Sequence, residues 1–196
     1  FKKALRYSPI KKLNYLIVVP TLRCNLCCSY CQVSRADEKA KGYDWTPEII
    51  DEFLKYVGQH ATDNVKIEFQ GGEPSLRLDI VLEIVERVKM LKPQAFFVIC
   101  TNLSKLSPEL LNLLNRDDFT ISSSLDGPPK IHQENRTISD AETNKFFDNL
   151  DLILDQFGSS KISLLPTISG YQNITDIIDF FFEKKLPDIF LRPVNF

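Results

Sequence analysis

The chain has 196 residues, 43% of them hydrophobic, and its 24 basic and 26 acidic side chains leave a formal charge of −2. This length and apolar content fit one globular domain with a sizeable core, while the balanced charge provides no overall field to hold nucleic acid or an anionic membrane. No stretch approaches the roughly 18 consecutive apolar residues that a membrane span requires, so neither nucleic acid nor membrane is expected as a partner.

The basic opening, FKKALRYSPIKKLNYLIVVP, carries an apolar run from Tyr15 to Val19 that is too short for the core of a signal peptide and leads directly into a cysteine cluster, so it reads as mature protein. The chain starts at Phe1 rather than Met and stops at Phe196 just after an apolar run, from which we expect a piece of a longer chain with one domain over about 14–194. The first predicted strand is NYLIVVPT (14–21). It hands over to TLRCNLCCSYC, where four of the five cysteines, Cys24, Cys27, Cys28 and Cys31, fall together. Cysteines this close make a poor disulfide framework, because near neighbours rarely reach bridging geometry; a reducing cytoplasm and a bound metal are expected instead.

Next comes a predicted helix, TPEIIDEFLKYVGQH, with Thr46 as N-cap and Pro47 at its first position. The strand VKIEFQ (65–70) ends in QGGEP, and the helix DIVLEIVERVKML follows with apolar residues at i, i+3, i+4 and i+7. AFFVICT (95–101) leads into TNLS and the helix SPELLNLLNR; FTISSSL (119–125) leads into SLDGP. Residues 126–140, with Pro128, Pro129, His132, Asn135 and Arg136, read as a functional or mobile loop. The helix NKFFDNLDLILDQFG closes on Gly158 as C-cap, and KISLLPTIS (161–169), the helix NITDIIDFFFEKK and DIFLRPV (188–194) complete the chain. Strands and helices alternate throughout, and the near-continuous apolar strands fit a parallel α/β sheet, open or barrel-like, with both faces covered. In such folds ligand chemistry collects at the carboxyl ends of the strands, which places TLRCNLCCSYC, QGGEP, TNLS, SLDGP and LRP on one rim.

The cysteines can be read as C-x2-C-x3-C, as C-x3-C-x2-C or as a four-thiolate site. Zinc fits poorly: it wants a further Cys or His pair, Cys100 lies in an apolar strand as a small core residue, and adjacent Cys27 and Cys28 diverge. Three thiolates on an iron–sulfur cluster would leave one iron open.

Cys24-x3-Cys28-x2-Cys31, with Tyr30 before the last cysteine, resembles the signature of the radical S-adenosylmethionine (SAM) superfamily. QGGEP resembles its second-strand GGE motif, and SSLDGP with IHQENR resembles the peptide-modifying SPASM branch, which includes the anaerobic sulfatase maturases. CQVSR, IEFQGGEP, SLDGP and FLRP together are most similar to the maturase of the His-Xaa-Ser peptide system.

The resemblance implies a parallel (β/α)6 partial barrel of the radical SAM type, with Cys24, Cys28 and Cys31 on a 4Fe-4S cluster and Cys27 a bystander. It implies SAM contacts for Tyr30 at the adenine and for Gln70, Gly72 and Glu73 at the methionine end, where the glycines let backbone approach the ligand. Asn102, Ser124 and Arg136 would face the pocket, ribose and carboxylate, and Leu191 would line the adenine pocket. Asp126 and His132 are candidate substrate contacts. The implied activity is reductive cleavage of SAM to a 5′-deoxyadenosyl radical that takes a hydrogen atom from a precursor peptide, with a low-potential donor such as flavodoxin or ferredoxin. The alternatives are another substrate, a sulfatase or small molecule, or a non-catalytic zinc or iron–sulfur scaffold.

Overall fold

A computed structural model describes residues 12–169, 173–186 and 189–194. The basic opening over 1–11 and the first residue of the strand expected at 188–194 lie outside the described residues. Nine strands occur among the described residues: β1 (Leu13–Thr21), β2 (Arg23–Cys24), β3 (Ala36–Asp37), β4 (Ala61–Gly71), β5 (Phe96–Cys100), β6 (Phe119–Ser124), β7 (Ile162–Leu165), β8 (Thr167–Ile168) and β9 (Arg192–Pro193). The helices are α1 (Pro47–His60), α2 (Leu78–Leu91), α3 (Pro108–Leu114), α4 (Pro129–Asn135), α5 (Asp140–Phe157) and α6 (Ile174–Glu183). Strands β1, β4, β5, β6 and β7 form one wholly parallel sheet in that order, while β2 pairs with β3 and β8 with β9, also in parallel.

The alternation along each strand explains the layering. In β4, Val65, Ile67 and Phe69 are buried, whereas Lys66, Glu68 and Gln70 are half-buried on the other side. The buried face receives Ile50, Leu54 and Val57 of α1, Val81, Ile84, Val85 and Val88 of α2, and Phe146, Leu150 and Ile153 of α5. Phe69, Phe97 and Phe119 stack along it, with successive ring centroids 6.3 and 6.5 Å apart. The opposite face is thus not covered by helices as the apolar strands led us to expect. Tyr15, Ile17, Glu68, Cys100, Ser122 and Ser124 remain partly accessible along it.

Residues 126–140 are not a loop throughout. Pro129 opens the seven-residue α4, and α5 begins at Asp140 with Ser139 as N-cap, its hydroxyl accepting from the Glu142 amide. The strand expected over 161–169 is interrupted at Pro166, which has no N–H to donate, and splits into β7 and β8. The sixth strand shrinks to β9, carried by bonds such as Arg192 N–H to the Pro166 carbonyl (3.0 Å).

Candidate active site at the strand carboxyl ends

The path from β1 into the cysteine loop is set by backbone bonds. Gly72 donates to the Thr21 carbonyl (3.1 Å) and Glu73 to that of Arg23 (2.8 Å), so the end of β4 runs beside the residues just before Cys24. A Cβ on Gly71 would overlap the Thr21 carbonyl, and one on Gly72 those of Arg23 and Leu22; Gly71 also has φ +128°. The glycines therefore let two chain segments approach each other, in addition to the ligand approach expected of them. Asp44 braces the same junction, accepting from the Thr21 hydroxyl (2.6 Å), Arg23 Nε (2.9 Å) and Arg77 Nη1 (2.5 Å). Burial opposes its ionisation, but these donors outweigh it and hold the carboxyl below the usual range.

A cavity of about 420 Å³ opens at the carboxyl ends of β4, β5 and β6, a size suited to a nucleoside-bearing small molecule. Cys24, Cys28 and Cys31 line it, together with Tyr30, Gln70, Gly72, Glu73, Asn102, Ser124 and Arg136. Cys27 does not; it is exposed. Burial pushes the Cys24 thiol up to about 11 and raises that of Cys28, there against the lowering effect of Arg136. Cationic iron would reverse that preference by taking the thiolate. Three thiols on one wall of a cavity, rather than a closed set on one point, fit a cluster better than a single ion; among the described residues no such closed set occurs.

Glu73 is 1% exposed. Its carboxylate already accepts from the Ser75 amide (3.1 Å) and the Asn102 amide (2.7 Å), so it ties β4 to the residues after β5 as well as facing the cavity. Burial raises its pKa, with those donors working against the rise. The Asn102 side chain donates from Nδ2 to Asn25 Oδ1 of the cysteine loop (2.9 Å).

Three expected residues lie elsewhere. Leu191 is 38% exposed and does not line the cavity. Asp126 is fully buried behind it, accepting from the Tyr30 hydroxyl (2.7 Å), Asn135 Nδ2 (3.1 Å) and the Thr167 amide (3.0 Å). His132 is buried against Phe146, ring centroids 4.0 Å apart, because α4 turns that face into the core. Conversely, two residues not expected at the site line the cavity, Glu68 and Cys100, the latter expected in the core. Cys100 is half-buried at the cavity and donates from Sγ to Glu68 Oε1 (3.3 Å), which also accepts from Gln70 Nε2 (2.5 Å). The alternation of VKIEFQ, with Lys66, Glu68 and Gln70 on one face, was the available signal.

Residues 18–181 match the Radical SAM superfamily, most of the chain and all of the main sheet's core. This chain belongs to the radical SAM superfamily. Members of the superfamily use a 4Fe-4S cluster and SAM, and the fold is the parallel α/β sheet of the radical SAM type. The chain is 27% identical over 179 residues to an uncharacterized protein of Methanothermobacter thermautotrophicus, covering 88% of this chain and 64% of that one. It is 25% identical over 194 residues to the cysteine-type anaerobic sulfatase-maturating enzyme of Clostridium perfringens, covering 93% of this chain and 51% of the enzyme. Among solved structures, native anSMEcpe with bound AdoMet and Cp18Cys peptide superposes with a TM-score of 0.77 at 22% identity, covering 93% of this chain and 51% of that one. The chain thus spans less than two thirds of the length of these relatives. No helix among the described residues is long and apolar enough to cross a membrane.

Proposed function

We propose that this chain is the radical SAM core of an enzyme that modifies a peptide or protein, with Cys24, Cys28 and Cys31 holding a 4Fe-4S cluster and SAM seated in the adjoining cavity. The observation that carries the assignment is the division of the cysteines: three line the cavity, and Cys27 does not. The residues present fit the groups. Besides the thiols, Arg136 presents a guanidinium at the cavity wall whose Nε is enclosed without a partner, an orphaned donor suited to the methionine carboxylate. Ser124 and Asn102 stand at strand ends where they can meet the ribose or methionine arm, and Tyr30 lines the same cavity next to Arg136. When bound, the cluster and SAM together supply a carbon-centred radical that takes a hydrogen atom from the substrate. The chain orients the ligand and shields the cavity from water, and an external low-potential electron donor completes the system.

A peptide or protein substrate is supported by the kinship with a sulfatase-maturating enzyme and by the peptide held in the anSMEcpe structure. The SPASM reading rests on SSLDGP with IHQENR, and the His-Xaa-Ser reading on CQVSR, IEFQGGEP, SLDGP and FLRP. The test is anaerobic reconstitution: about four irons per chain, with 5′-deoxyadenosine released on reduction in the presence of SAM, is the expected result. Stoichiometric zinc with no SAM cleavage would overturn it.

A further inference from the structure

The cavity wall holds a buried polar chain whose far end, Asp126, the proposed chemistry does not use. Among the described residues the Arg136 guanidinium makes one hydrogen bond, from Nη1 to the Tyr30 hydroxyl (2.7 Å). That hydroxyl in turn donates to Asp126 Oδ2 (2.7 Å). A guanidinium withdrawn from water needs a counter-charge, and here it receives one at one remove, across a phenol. The spacing has a chemical consequence. A carboxylate paired directly with Arg136 would occupy two parallel donors and compete with an incoming anion, whereas a tyrosine between them fixes the guanidinium through one donor and leaves the others for a ligand.

Asp126 is itself held from three sides. Oδ2 accepts from Asn135 Nδ2 as well as from Tyr30, and Oδ1 accepts from the Thr167 amide (3.0 Å). The Asn135 carbonyl accepts from the Ser29 amide (2.9 Å), so the residue before Tyr30 is fastened to the end of α4. The segment between Cys28 and Cys31 therefore has two anchors, and both lead to Asp126.

We propose that Asp126 is a positioning residue: acting through the Tyr30 hydroxyl, it holds the Arg136 guanidinium in the orientation that grips the carboxylate of the SAM methionine arm. This rests on the reading above that Arg136 faces that carboxylate. Asp126→Asn tests it, because a carboxamide has one accepting oxygen for three incoming donors and must set its NH2 against at least one of them. Tyr30→Phe removes only the relay hydroxyl.

The experiment is calorimetric binding to the reconstituted enzyme of S-adenosylhomocysteine and of 5′-methylthioadenosine, which keeps the nucleoside and thioether but lacks the amino-acid arm. In Asp126→Asn and Tyr30→Phe, S-adenosylhomocysteine should bind about tenfold more weakly, the loss expected of one charge-assisted contact, with 5′-methylthioadenosine and iron content unchanged. Equal weakening of both ligands would show a general structural role and overturn the proposal. Arg136→Gln separates the two readings. If it loses S-adenosylhomocysteine selectively while the other two variants do not, the positioning role fails and the carboxylate site stands; if it loses nothing, the carboxylate site itself fails. Should Asp126→Asn not fold, Tyr30→Phe alone decides.

Discussion

At the scale of single residues, adjacent Cys27 and Cys28 make opposite predictions. Cys28 lines the cavity beside Arg136 and Cys27 is exposed, so Cys27→Ala should keep iron and SAM cleavage while Cys28→Ala loses both, measured by iron content and 5′-deoxyadenosine. The reverse result would install the C-x2-C-x3-C register. His132 makes a different prediction, about stability. Burial, reinforced by Arg136, holds its pKa down to about 3, and neither ring nitrogen has a partner among the described residues. Because the folded value lies below the unfolded one of about 6.5, acid protonates the unfolded chain first. The stability present above pH 6.5 is therefore lost as pH falls toward the folded value, at about 1.4 kcal/mol per pH unit. His132→Phe removes that loss, so denaturation at pH 5.5 and 7.5 should show the variant gaining about 1 kcal/mol on the wild type at the lower pH. Parallel pH dependence of the two proteins would contradict the buried neutral imidazole.

At the scale of elements, the turn after β4 is where fold and site meet. Gly72→Ala would force a methyl group into the Arg23 and Leu22 carbonyls. Since backbone must move to admit it, a loss of about 1–3 kcal/mol is expected, with poorer iron incorporation because the cysteine loop starts at that contact. Gly58, inside α1 with nothing within 4 Å of its would-be Cβ, is the control: Gly58→Ala should be neutral or stabilising by up to about 1 kcal/mol. Chemical denaturation of both variants, with iron analysis, checks the pair. The same elements show what was legible beforehand. Strands rich in β-branched and aromatic residues, and helices opening on Thr-Pro or Ser-Pro, could be read from local pattern alone, and the rim motifs followed from strand polarity. α4 could not, because its buried members His132 and Asn135 are polar and present no apolar period. Nor could the Asp44 brace or the Glu68–Cys100 contact, each of which joins residues distant in sequence through strand register and loop path. The second role of the GGE glycines, close approach to Thr21, Leu22 and Arg23, could not be read either, since it exists only once β1 and β4 have paired.

At the scale of the whole molecule, the site has no structure of its own apart from the sheet. Its cysteine loop hangs from β1 and its carboxylate Glu73 from β4; Asn102 follows β5, Ser124 ends β6, and the Asp126 anchor spans from β6 to β8. The common support is the helix-covered face, where Phe97 lies fully buried between Phe69 and Phe119. Phe97→Ala leaves a cavity at the centre of that stack and should cost about 3–5 kcal/mol. Because every strand end bearing a site residue belongs to or adjoins the same sheet, the loss should be shared. Far-UV circular dichroism and the visible absorbance of the reconstituted cluster should fall with coincident midpoints in urea, in the variant as in the wild type and only earlier. Separate midpoints, with cluster absorbance lost well before the secondary structure, would mean that the cysteine loop unfolds as an independent unit. In that event the backbone bonds from Gly72 and Glu73 to the start of the loop would not be what holds it in place.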